Sequence, residues 1–161
     1  VEQSPFESEL IMNAKFHPAI KAVRSDDLET FKALVAKDPS LATSGSTQSH
    51  PTLLQCVVLD GNGQPNNVEM ARVLIEAGAE LDGPLVAAGS IDNSAAAELL
   101  LDHGAAVDGI GGWSPLEEAL YWNNRRVIDL LLERCAKGTT LRSTDTARWL
   151  NFCWNTGRIG M

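Results

Sequence analysis

The sequence predicts an all-α fold in which short antiparallel helix pairs stack side by side in one layered array. Three observations carry that prediction. Residues 111–136, GGWSPLEEALYWNNRRVIDLLLERCA, read as two short helices joined by a tight turn. Each is too short and too apolar to stand alone, so the pair must be covered by neighbours. Helix-closing positions then recur at Asp38, Gly78, Gly104 and Cys135, at intervals of 40, 26 and 31 residues. A chain of 161 residues with 44% hydrophobic content is ordinary for one domain, able to bury roughly 70% of its unfolded surface.

Taken in order, Ser4-Pro5-Phe6-Glu7 combines an N-cap, a first-position proline and a capping-box glutamate. A short helix should run from there to about Lys15. His17 to Val23 (HPAIKAV) opens the next helix, Asp26-Asp27 turns the chain, and Leu28 to Ala36 forms the helix that answers it. Leu28, Phe31, Leu34 and Val35 are its apolar face, and Asp38-Pro39 ends it. Ser40 to His50 (SLATSGSTQSH) is small, polar and aperiodic, and reads as a loop.

Thr52 to Val58 (TLLQCVV) is the next helix, and Gly61 to Asn67 (GNGQPNN) is a long turn-forming run. Val68 to Glu76 follows, closed by Gly78-Ala79 with Gly78 suited to a left-handed C′ position. Only Gly83 separates Asp82 from Pro84, so the connection into the next helix (PLVAAGSI) should lack a β-turn. Asp92-Asn93 turns the chain, Ala95 to Asp102 is helical, and Gly104-Ala105 closes it.

In the stretch from 111, Ser114 is the N-cap and Pro115 the first helical residue. Leu116, Ala119 and Leu120 form one apolar stripe, and Asn123-Asn124 supplies the left-handed turn. The answering helix carries Val127, Ile128, Leu130, Leu131 and Leu132. Thr146 to Thr156 (TARWLNFCWNT) reads as one more helix, and Gly157 to Met161 opens a further one.

These elements resemble the ankyrin repeat. Ser114-Pro115-Leu116 sits where the family has Thr-Pro-Leu, and Leu130-Leu131-Leu132 matches its leucine triplet. His17-Pro18-Ala19-Ile20-Lys21-Ala22-Val23 is similar to its Thr-Pro-Leu-His-Leu-Ala-Ala segment. The uneven intervals scatter around the family period of about 33 residues. The resemblance implies a solenoid of about four full degenerate repeats plus an incomplete C-terminal one. Its parts would be an N-terminal capping helix at 1–16, repeats at 17–49, 50–82, 83–108 and 109–145, and the incomplete repeat at 146–161. A long β-turn finger would lie at Ser40 to His50, with others at Asp108 to Trp113 and Lys137 to Asp145.

Composition narrows the function. A formal net charge of −8 argues against a nucleic-acid partner. No apolar run is long enough for a membrane span, and the cysteines Cys56, Cys135 and Cys153 form no Cys-x-x-Cys pair. Reduced thiols in a cytoplasmic protein are the expectation. There is no Gly-x-Ser-x-Gly, His-Glu-x-x-His, Gly-x-x-x-x-Gly-Lys or Gly-x-Gly-x-x-Gly motif. Glu117 and Glu118 are adjacent, point about 100° apart on a helix and cannot share a proton in one cleft. Glu118 is expected to pair with an arginine. His17, His50 and His103 stand apart from each other and from the cysteines at any metal-ligand spacing, and His17 and His50 are expected to serve structure near helix starts. No catalytic residue, cofactor or metal is expected.

The aromatic residues say more. Ankyrin-family partners contact finger tips and the solvent-facing end of each inner helix. Here those positions are Trp113 on a finger, then Tyr121 and Trp122, with Ser90-Ile91, Leu59-Asp60 and Arg24-Ser25 on the earlier units. Tyr and Trp dominate interface hot spots. The competing expectation is that Trp113 and Trp122 pack against Trp149, Phe152 and Trp154, whose apolar surface also invites self-association at the C-terminal end. The resemblance and the missing motifs imply a non-catalytic module binding another protein. The alternatives are a regulatory domain or fragment of a larger enzyme, or an acidic inhibitor of a basic partner.

Overall fold

A computed structural model describes residues 5–45, 52–109, 112 and 114–136. All its regular elements among these residues are helical: α1 (Pro5–Arg24), α2 (Leu28–Lys37), α3 (Ser40–Thr43), α4 (Leu53–Asp60), α5 (Asn67–Glu76), α6 (Asp82–Ser90), α7 (Ser94–Asp102), α8 (Pro115–Tyr121) and α9 (Arg125–Ala136). The one extended pairing among them is an isolated antiparallel bridge between Gly45 and Thr52.

Local chemistry sets the helix starts. Asp27, Thr52, Asn93 and Ser114 each accept a hydrogen bond from a backbone N–H three residues on, satisfying a donor the helix leaves unpaired. At Thr52 the exchange is reciprocal, because the Gln55 side chain accepts from the Thr52 N–H at 3.2 Å.

The helices pair as α1 with α2, α4 with α5, α6 with α7 and α8 with α9. The first members form one row, α1-α4-α6-α8, and the second members another, α2-α5-α7-α9. Between the rows runs a continuous core in which Phe16, Val23, Phe31, Leu54, Met70, Leu74, Leu85, Leu100 and Leu131 are fully buried. The predicted face of α2 lies there, with Phe31 and Val35 buried and Leu28 and Leu34 partly so. Of the leucine triplet, Leu131 is buried, Leu130 is partly so, and Leu132 is exposed.

The turns inside the pairs repeat one device. Asp26, Asp92 and Asn123 all adopt left-handed backbone with φ of 56–58°, which Asp and Asn tolerate better than other residues with a Cβ. The freed carboxylates then reach the next pair. Asp26 Oδ1 accepts from the Asn66 N–H, and Asp92 Oδ1 from the Val127 N–H, each at 3.1 Å. The Asp26 and Asp92 turns thereby fix where α5 and α9 begin.

Three expectations are corrected. The N-terminal helix does not stop near Lys15: α1 continues through Pro18 to Arg24. Proline there removes one intrahelical bond, but Phe16, Ala19, Ala22 and Val23 are all buried on this helix and hold it to the core. His17 consequently lies in mid-helix, exposed, rather than near a helix start. Nor is the start of the Ser40 to His50 stretch a loop. Residues Ser40–Thr43 form a helical turn whose Leu41 and Ala42 are buried. Asp38 sets this turn, accepting from the Ser40 N–H at 3.1 Å.

Around Gly83 the β-turn is absent as expected, since α6 begins at Asp82. Glu80 Oε1 accepts from the N–H groups of Asp82 and Gly83 at 2.6 and 3.1 Å, capping the helix from outside. The proposed finger at 108–113 falls partly, and the finger at 137–145, the helix at 146–156 and the packing role of Trp149, Phe152 and Trp154 wholly, outside the described residues. Among the described residues no helix is long and apolar enough to cross a membrane.

Candidate functional site

The C-terminal ends of α1, α4, α6 and α8 make a row of residue pairs, and their surroundings differ sharply. At the first, Arg24 reaches Asp60 of the second through Nε at 3.0 Å and a terminal guanidinium nitrogen at 2.9 Å. Asp60 also accepts from the buried Cys56 thiol, 3.7 Å from sulfur to oxygen. Burial, and then the charge of Asp60, push the Cys56 thiol up to about 12, so it stays protonated and inert. Leu59 is half-buried beside this pair.

Ser90 and Ile91 are half-buried and already engaged. Ser90 Oγ donates to the Ala87 carbonyl at 2.7 Å, and the Ile91 carbonyl accepts from Asn62 Nδ2 at 3.3 Å. Gly89 lets α8 approach: a Cβ there would stand 2.6 Å from the Pro115 carbonyl oxygen. Asn124 Nδ2 donates to the Gly89 carbonyl at 2.6 Å, tying the turn after α8 to the end of α6.

The fourth pair is different in kind. Tyr121 is 74% exposed and Trp122 is 56% exposed. Their rings stand at 86° with centroids 5.1 Å apart, an edge-to-face pair. Trp122 Nε1 donates to Glu118 Oε1 at 2.9 Å. Glu118 is therefore partnered by an indole rather than by the arginine expected of it. The i, i+4 spacing of Glu118 and Trp122 is a legible helix-face signal for that bond. Glu117 and Glu118 also sit in the first turn of α8, where the helix dipole favours negative charge. Nearby, Arg126 is held by Asp92 at 2.9 Å.

The structure thus brings Tyr121 and Trp122 together, sets Ser90 and Ile91 on the neighbouring helix end, and leaves Leu59 and Asp60 in a separate cluster with Arg24. Trp113 lies outside the described residues. Asn62 and Asn124, legible in the sequence only as turn residues, fix these helix ends to the adjacent pairs through their amides. Among the described residues no three of His, Cys, Asp and Glu come together in a group that could hold a metal ion. No protein-family model and no curated protein matches this chain.

Proposed function

We propose that the chain is a non-catalytic protein-interaction module of the ankyrin-repeat kind, working in the cytoplasm. It binds a partner protein through the row of helix ends, with Tyr121 and Trp122 at the centre, Ser90 and Ile91 on the neighbouring helix end, and Trp113 as a further contact residue. The observation that carries this reading is the exposed Tyr121–Trp122 pair. Two large aromatic residues, adjacent and solvent-facing, offer much area for burial at little cost in side-chain entropy. Four helix pairs stacked in two rows support the repeat reading, as does the Ser114-Pro115 helix start. The net charge of −8 favours a protein partner over a nucleic acid.

The test is a paired capture from native-host extract, using the parent chain and a Tyr121→Ala/Trp122→Ala variant as baits. A protein retained by the parent and lost by the variant supports the reading. Identical capture by both baits places the contact elsewhere on the chain.

A further inference from the structure

We infer that the corner between the Tyr121 and Trp122 rings receives a cationic side chain, lysine or arginine, from the partner protein. The inference rests on the reading of this helix end as a binding surface and gives that surface its chemistry. Perpendicular rings 5.1 Å apart set the edge of one against the face of the other. Such a pair leaves a right-angled corner walled by one face from each ring. Aromatic faces carry the negative part of the ring quadrupole, so a cation in the corner meets attraction from two sides.

Three further features favour this occupant over an apolar one. Both rings are exposed, so the corner is open to a side chain from outside. The Glu118 carboxylate fixes the indole through its N–H, so the wall is set before binding and little ordering remains. That same carboxylate, with Glu117 beside it, adds formal negative charge on the helix that carries the rings. The neighbouring cation Arg126 is tied to Asp92, and Arg125 is followed one turn later on α9 by an acidic residue, Asp129. The balance left on α8 is negative, like that of the chain.

The test uses the full chain and two small probes, acetyl-Gly-Arg-Gly-amide and its neutral isostere with citrulline in place of arginine. The readout is the Trp122 indole N–H resonance, assigned by its disappearance in Trp122→Phe. The arginine peptide is expected to shift it saturably and to bind roughly fivefold or more tighter than the citrulline peptide, the range of a cation over an aromatic face. In Tyr121→Ala, which removes an exposed side chain and is checked for parent-like circular dichroism, that preference is expected to vanish. Equal binding of the two peptides, no shift with either, or a preference that survives Tyr121→Ala overturns the inference. Because the probes need no natural partner, this result and the paired capture fail independently.

Discussion

Asn93 donates from Nδ2 to Asn67 Oδ1 at 3.0 Å, joining two buried amides on neighbouring helix pairs. Neither amide is wasted. Asn93 Nδ2 also reaches the Val58 carbonyl at 3.0 Å, Asn67 Nδ2 the Val57 carbonyl at 2.5 Å, and Asn93 Oδ1 caps α7 by accepting from the Ala96 N–H. Each bond runs between one helix pair and its own or the next turn, so the chain of bonds fixes the register of stacking.

Replacing Asn93 by Ala removes the cap and strands two buried acceptors. A loss of about 3 kcal/mol in urea unfolding is expected, combining a cap of about 1 with buried unsatisfied groups of about 1–3. Asn93→Asp keeps the cap oxygen but turns an acceptor toward Val58 and Asn67. It should be at least as destabilising at neutral pH, although it is nearly isosteric. A milder loss in Asn93→Asp than in Asn93→Ala would show that the cap outweighs the amide donors.

These amides show where the sequence stops being readable. The cap at Ser114 is legible because capping depends on residues within one turn, and the helices after Asp27 and at Thr52 are legible from their apolar residues, with Asp27 and Thr52 turning out to be their caps. The absent β-turn at Gly83 was legible because one residue cannot form a hairpin. Asn67 and Asn93 look in sequence like ordinary turn residues, since their burial depends on carbonyls ten and 35 residues away. Pro18 misled for a related reason: local preference favours a helix start, while the buried Phe16 and Ala19 on either side keep α1 continuous. Leu41 was hidden among small polar neighbours, too short a signal for periodicity. At the candidate site, the aromatic pair is legible by type and the Glu118 bond by its i, i+4 spacing, but the exposure of the pair depends on how α8 packs against α6.

Two glycines of α6 should respond to alanine with opposite sign. Gly89 faces backbone, with the Pro115 oxygen 2.6 Å from where a Cβ would lie. Gly89→Ala should therefore cost about 1–3 kcal/mol, despite the better helix propensity of alanine. At Gly83 the nearest atoms are the flexible ends of Gln55 and Glu80, 3.2 Å away. Gly83→Ala should be neutral or stabilising by up to about 1 kcal/mol. Thermal melts of both variants decide the matter, and destabilisation in both would contradict the packing described for α6.

Acid should weaken the α2 end of the molecule first. The Thr30 hydroxyl, 2.6 Å away, and then the Thr30 N–H hold the Asp27 carboxyl below the ordinary aspartate value. At Asp38 the Ser40 hydroxyl, 2.5 Å away, does so most strongly; burial opposes it, and Lys15 adds further lowering. Lowered values mean stability that is present above about pH 4, the ordinary aspartate range, and is lost as pH falls below it. Asp27→Asn should flatten that part of the pH–stability curve, and an unchanged acid limb would contradict the cap.

Cys56 should resist thiol reagents in the folded chain. With its value raised from 9.0 to about 12, essentially no thiolate exists at pH 8. In a background with Cys135 and Cys153 replaced by serine, labelling should be slow in buffer and fast in denaturant. The sign for stability follows: its contribution is full below pH 9 and declines as pH rises toward 12. Fast labelling in buffer would mean that α4 opens readily.

The most direct test of the proposed function is a calorimetric titration of the captured partner against the parent and Trp122→Ala. Trp122 is a contact residue in this account, with more than half of its surface already in water. Its truncation should weaken binding by about 2 kcal/mol or more, roughly a 30-fold rise in Kd. The same variant should lose no more than about 1 kcal/mol of folding stability, far from the roughly 3–5 kcal/mol of a buried tryptophan. An unchanged Kd for Trp122→Ala would contradict the account.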